Sequence, residues 1–267
     1  MGRLIGFIVL VFSGVTFAQV SVCTWNLENF GQSKSDSIIT YITKKIKNYD
    51  IVAIQEVVAG FGGTQAVAKL TDELNRTGAK WEYVVSNPTS GSAYKTERYA
   101  FLWKPSKVKL IEKPWLEQKY KQEIDREPFF ATFAYEGKEF TLVNFHAITK
   151  KMQPETEIKY FKYFFEEYSN LNLIFVGDFN CPQSHSVFNP WRKKQYLPVF
   201  VHQKTTLKNQ CKKQECLASE FDNIWYAKNK LVVLQTKAIH FYEDFTSLKK
   251  AKTISDHIPL VFEFNVK

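Results

Sequence analysis

Nine polar residues of this chain stand at or just past the ends of apolar runs: Asn26, Glu56, Glu97, His146, Asp178, Asn180, Asp222, Asp256 and His257. Strand ends in layered folds are where functional sites gather. Carboxylates and amides together supply the hard oxygen ligands that a cation such as Mg²⁺ takes. Two histidines can act as acid and base near neutral pH. A cation, an acid and a base are the parts that hydrolysis of a phosphodiester requires. Taken singly, each residue has a plainer role: Glu56 as a solvated carboxylate, His146 as a satisfied core histidine, Asp256 and His257 as a turn before Pro259. Their recurrence at one kind of place favours a site.

The stretch LIFVGDFN, 173–180, carries the pattern most openly. An apolar run reads as a buried strand, and Asp178 and Asn180 follow at its exit. Side chains alternate in an extended chain, so Asp178 and Asn180 share one face and Phe179 takes the other. Gly177 would let the backbone bend or a partner approach.

The elements that must hold these residues follow from periodicity. Strands are expected at 20–25, 51–54, 81–85, 99–103, 222–226, 231–236 and 258–265, and helices at 33–48, 64–76 and 155–168. Ser33, Ser35 and Asp36 offer caps to the first helix. Residues 108–111 are expected to pair beside 99–103. Glu136-Gly137 reads as the turn of a hairpin between 129–135 and 139–145. Residues 112–127 and 182–220 read as irregular. No repeat or linker interrupts the 267 residues, and 45% hydrophobic content suffices for one large core. The pattern is that of one α/β domain over 19–267, with a mixed sheet or two packed sheets.

Net charge is +9, mostly scattered lysine, which suits a polyanion, nucleic acid first, although lysine also serves solubility. Residues 1–18 hold Arg3, an apolar run and Thr16-Phe17-Ala18, the pattern of a signal peptide; an uncleaved anchor is the alternative. The expectation is a secreted chain, extracellular or periplasmic, monomeric and without a membrane anchor after cleavage. Export permits disulfides, and Cys23, Cys181, Cys211 and Cys216 allow three full pairings. Asn75-Arg76-Thr77 is a glycosylation sequon.

The segments WNLENFG around Asn26, VAIQEV around Glu56, GDFN at 177–180 and SDHIP at 255–259 together resemble the signature of the endonuclease/exonuclease/phosphatase superfamily. Tyr94-Lys95-Thr96-Glu97-Arg98-Tyr99, the following FLWKPSKV and Arg126-Glu127-Pro128 resemble its deoxyribonuclease I-like secreted nucleases. The resemblance implies a four-layer sandwich, two packed mixed β-sheets flanked by helices. It implies Glu56 as the principal metal carboxylate, aided by Asn26 and Asp256. Asp178 and Asn180 would bind the scissile phosphate or a second cation. His146, held by Glu97, would be the acid; His257, held by Asp222, the base. Arg126 would clamp a phosphate oxygen, and Tyr94 would stack on a sugar. It implies Mg²⁺ (with Mn²⁺ able to substitute), leaves structural Ca²⁺ open, and names DNA as substrate with RNA as the alternative. It also suggests that Cys181 pairs with Cys216 or Cys211, while Cys23 reads as a buried thiol. Where the family places groove-reaching arginines, this chain has Glu28 and Val58, so lysines are expected to take over, less specifically. The competing readings are a sphingomyelinase-like lipid phosphodiesterase or a phosphatase on the same metal site, and a non-catalytic nucleic-acid-binding or toxin module.

Overall fold

The computed structural model describes residues 19–91 and 96–267; the expected leader at 1–18 and Tyr94 lie outside them. The chain opens with β1 (Val20–Phe30), α1 (Asp36–Ile46), β2 (Ile51–Val58) and α2 (Phe61–Asn75). Then come β3 (Glu82–Val85), β4 (Glu97–Trp103), β5 (Lys109–Leu110), β6 (Trp115–Leu116) and the hairpin β7 (Phe129–Tyr135) and β8 (Lys138–His146). Short helices α3 (Glu155–Ile158) and α4 (Phe164–Glu167) precede β9 (Leu173–Asp178). The last part holds α5 (Asn189–Lys193), β10 (Tyr196–Pro198), β11 (Leu207–Lys212), β12 (Glu215–Leu217), β13 (Asp222–Ala227), β14 (Leu231–Ala238), α6 (Leu248–Ala251) and β15 (Leu260–Val266).

One sheet runs β14-β15-β1-β2-β4-β3 and the other β10-β13-β9-β8-β7-β5, with β6 also on β7. Both are mixed, since β1–β2 and β8–β9 pair in parallel while their neighbours are antiparallel. Alternation in the strands builds the layers. Val20, Val22, Ile51 and Ala53 join Phe140, Leu142, Ile174 and Val176 between the sheets. Cys23, Trp25, Val52 and Ile54 face out onto Ile39, Ile42, Val67 and Leu70 of α1 and α2. Val143, Phe145 and Phe175 face out onto Phe161, Phe164 and Trp191. This is the expected sandwich of two packed sheets flanked by helices. Ser35 caps α1, its side chain accepting from the Ile38 N–H.

Three expectations are corrected. Residues 109–110 pair with β7 rather than with β4, because β4 already has β2 on one edge and β3 on the other. The helix expected over 155–168 is broken, with a 3₁₀ stretch at Lys159–Tyr163 between α3 and α4. Buried Ile158, Phe161 and Phe164 recur every third residue, the repeat of a 3₁₀ turn. The disulfide joins Cys211 to Cys216, and Cys181 is a free, buried thiol. Cys181 packs with the outer cluster of the second sheet, whereas Cys211 and Cys216 face each other across the β11–β12 hairpin. Cys23 is buried and free, as expected.

Gly177 has φ +131°, and an added Cβ would lie 2.0 Å from the Phe145 carbonyl oxygen on β8. Its role is the close passage of β9 along β8, the backbone approach that glycine permits. Gly177→Ala is expected to destabilise the fold by more than about 2 kcal/mol, combining strain and clash. A urea unfolding midpoint within error of the wild type would contradict that.

Candidate active site

Parallel pairing brings the site together. The C-terminal ends of β1 and β2 and those of β8 and β9 reach the same edge of the sandwich. There Asn26, Glu56, His146 and Asp178 collect. The antiparallel neighbours begin where these strands end, which adds Glu97 opposite Val58 and Asp222 opposite Asp178. His257 arrives just before β15. Asn26, Glu97, His146, Asp178 and Asp222 each sit an even number of residues from apolar neighbours that point between the sheets. The site is thus the open rim of the inter-sheet layer. Alternation would turn Glu56 toward the helices. Instead it adopts a left-handed φ of +59° at a bulge in β2 and lines the cavity. Such strain in a non-glycine residue recurs at functional positions.

The resulting cavity, about 640 Å³, is lined by Glu56, Glu97, Arg126, His146, Asp178, Asn180, Asp256 and His257, among others. Two carboxylate–imidazole pairs face across it. Asp222 Oδ2 meets His257 Nδ1 at 2.7 Å. Glu97 Oε1 and Oε2 each lie 3.0 Å from His146 Nδ1. Both Nε2 atoms turn toward Asp178 Oδ2, His146 at 3.4 Å and His257 at 3.6 Å. These separations exceed a good hydrogen bond, so both nitrogens remain available to a third group. Tyr99, under the Glu97 pair, accepts from the His146 backbone N–H at 3.1 Å.

Asn26 Nδ2 donates to Glu56 Oε1 at 2.9 Å and to Asp178 Oδ2 at 3.2 Å. Two carboxylates from different sheets therefore converge on one neutral amide N–H₂ donor, with Asp256 nearby on the cavity wall. Carboxylates converging in this way fit a hard divalent cation. Asp178, Asp222 and His257 also place one ligand atom each within 4.8 Å of one another. Asp222 and His257 already spend facing atoms on their own 2.7 Å contact, which leaves Glu56, Asp178 and Asp256 as the freer donors. Asn180 accompanies Asp178: its N–H donates to Asp178 Oδ1 at 2.8 Å and its Nδ2 to the Ala147 carbonyl at 3.0 Å.

Arg126 lines the cavity, yet its guanidinium is engaged. Nη1 donates to Glu97 Oε2 at 3.0 Å and approaches His146 Nδ1 at 3.0 Å, while Nη2 donates to the Ala147 carbonyl. Other supports carried little sequence signal. Gln55 Nε2 donates to Thr24 Oγ1 at 3.0 Å and to Asn144 Oδ1 at 2.6 Å beneath the site. Ser255 Oγ donates to the Asn26 carbonyl at 2.6 Å and accepts from the His257 N–H at 2.9 Å. The one available clue was Asn144, a polar residue inside an apolar strand two positions before His146.

Electrostatics follow the contacts. Burial opposes the charged form of His257, but Asp222, Asp178 and Asp256 outweigh it and hold the proton well above the ordinary histidine range. His146 is raised as well: burial and Arg126 oppose, Glu97 and Asp178 prevail. Burial would raise Glu97, yet His146 and Arg126 bring it below the usual carboxylate range. A raised histidine stabilises the fold fully below its unfolded value, about pH 6.5, and loses that contribution as pH rises through its folded value. The cation-free protein is therefore expected to lose thermal stability above about pH 6.5, and Asp222→Asn to flatten the loss. Identical midpoints in both proteins from neutral to alkaline pH would contradict this.

The sequence profile of the Endonuclease/Exonuclease/phosphatase family matches residues 23–257. A Deoxyribonuclease-1 from Mus musculus is 30% identical over 194 residues, 67% of this chain and 67% of its own length. Deoxyribonuclease gamma from Homo sapiens is 27% identical over 273 residues, covering 91% of this chain and 85% of its own. Among solved structures, a mannosyl-6-phosphatase from Bacteroides thetaiotaomicron superposes with a TM-score of 0.64 at 19% identity, over 92% of this chain and 99% of that one. The last likeness is one of fold.

Proposed function

Because the chain belongs to the endonuclease/exonuclease/phosphatase family, as a deoxyribonuclease I-like member, we propose that it is a divalent-metal-dependent endonuclease hydrolysing DNA phosphodiester bonds. The observation that carries the reading is the pair of imidazoles, each backed by a carboxylate and both directed at Asp178. A non-catalytic binding module has no need of two such pairs. His257 would take the proton of the attacking water at Nε2 once a bound cation offsets the Asp178 and Asp256 charges that help keep it protonated, with Asp222 fixing its tautomer and stabilising the imidazolium. His146 gives its proton to the leaving oxygen, held by Glu97. Asn180 and Asp178 would bind the phosphate or a second cation beside it. Glu56, Asn26 and Asp256 would hold Mg²⁺, with Mn²⁺ as a substitute. That ion supplies charge neutralisation as negative charge grows on the phosphate.

The one disulfide among the described residues suits an oxidising compartment, in line with a cleaved leader at 1–18, a catalytic domain over 19–267 and secretion. No described helix is long and apolar enough to cross a membrane. A lipid phosphodiesterase is the second reading. It draws on Phe61, 75% exposed just beyond the cavity wall at Ala59, and on Met152, 51% exposed on that wall. The +9 charge favours the nucleic acid.

Supercoiled plasmid, RNA, sphingomyelin vesicles and a phosphomonoester, each offered with Mg²⁺, separate these readings. Nicking of the plasmid is expected; lipid or monoester turnover without it would move the protein to another activity on the same site. Cleavage should fall steeply with salt, roughly tenfold per tenfold salt for each phosphate contact. A flat salt curve would argue against lysine-driven binding.

A further inference from the structure

The hairpin of β11 and β12 is rooted in the cavity wall. The Leu207 N–H donates to the Asp256 carbonyl at 2.7 Å, Thr206 bridges His257, and both Thr206 and Leu207 line the cavity. From that root β11 runs out to Lys212, roughly 17 Å at about 3.3 Å per residue. A turn at Lys213 and Gln214 closes the arm.

Both turn residues are left-handed, with φ +50° and +67°. Two-residue turns of this kind ordinarily take Asn or Gly. Lysine and glutamine there are a strained choice, and strain of this kind points to function rather than to folding convenience. The Cys211–Cys216 disulfide closes the arm just below the turn. Lys212 and Lys213 are exposed, with no carboxylate within ion-pair distance among the described residues. The arm's one acid, Glu215, is already met by Lys204 at 3.6 Å and Lys208 at 3.4 Å. Helix α6 packs against β11 and presents Lys249 and Lys250, also exposed and likewise unpaired. Lys252 Nζ donates to Asn209 Oδ1 at 3.1 Å and ties the two elements together.

We propose that this stapled arm, with α6, is a phosphate-backbone clamp that holds duplex DNA on the His257 side of the cleft. The proposal rests on the nuclease reading and deepens it. Laid along the helix axis, about 17 Å covers the rise of roughly five phosphates of one strand at 3.4 Å each. Contacts of this type position the duplex without reading sequence. The arm's root at Thr206 and Leu207 lines the same cavity as His146 and His257, so DNA held along the arm is led toward both imidazoles.

The test compares wild type with Lys212→Gln/Lys213→Gln/Lys249→Gln/Lys250→Gln and with the same four positions changed to Arg. Binding of a fluorescent 20-base-pair duplex is followed against salt in EDTA, so that affinity is read without turnover. The Gln variant should show a slope of log affinity against log salt shallower by about 3 to 4, near 0.9 per lysine, and the Arg variant should keep the wild-type slope. Each lost contact should cost roughly fivefold in affinity at 0.15 M salt relative to 1 M. Thermal midpoints equal to wild type show that the variants fold. A Gln variant with the wild-type slope, from a wild type that nicks plasmid, overturns the clamp and leaves the nuclease reading standing. A wild type that neither binds nor cuts DNA overturns both.

Discussion

His257→Ala is expected to lower plasmid-DNA turnover by at least about 100-fold, the usual scale for a positioned general base. The expectation comes from geometry. Asp222 holds Nδ1 at 2.7 Å, so the other ring nitrogen is the one presented to the cavity, between Asp178 and Asp256. His146→Ala should cost as much, because its Nδ1 is held by Glu97 and its Nε2 faces the same carboxylate oxygen. The two losses should not add, since acid and base serve one reaction. Single-turnover nicking with enzyme in excess reads the chemical step. Wild-type rates from both variants would overturn the mechanism.

The second large effect concerns Glu56. Its carboxylate accepts from Asn26 Nδ2 at 2.9 Å and from the Asn29 N–H at 2.9 Å, so its position is fixed before any ligand arrives. The left-handed backbone that turns it inward is part of the same preparation. Neutralising charge on a phosphate is worth several kcal/mol, three orders of magnitude or more in rate at about 1.4 kcal/mol per decade. Glu56→Ala should therefore approach the rate seen with EDTA. Calorimetric titration should show its Mg²⁺ affinity lowered in parallel. A variant with wild-type affinity and wild-type rate would remove Glu56 from the cation site.

Much of this site was legible in the sequence because strand alternation is a local rule. Once 174 and 176 point between the sheets, Asp178 must follow, and the same parity places His146 and Asp222. Glu56 obeys no such rule; its place at a strand end marked it, but its inward turn depends on a bulge that the sequence does not show. Arg126 read as a phosphate clamp from its motif, and its engagement with Glu97 and His146 required the fold. The arm at 207–217 was invisible for a different reason. Between buried Leu207 and Leu217 its residues are mostly polar and exposed, so no apolar period marks the strands, and its turn lacks Asn and Gly. The disulfide that holds it joins cysteines five apart, a pairing that resemblance to relatives pointed away from. The broken helix at 155–168 shows a conflict of periods, where aromatic packing every third residue outweighs the α-helical repeat.

The most direct measurement is plasmid nicking by the purified protein with Mg²⁺ and again with EDTA. Supercoiled DNA should pass to open circle and then to fragments with Mg²⁺, and remain supercoiled with EDTA. A folded protein that leaves the plasmid intact with Mg²⁺, or that cuts it equally in EDTA, would contradict that.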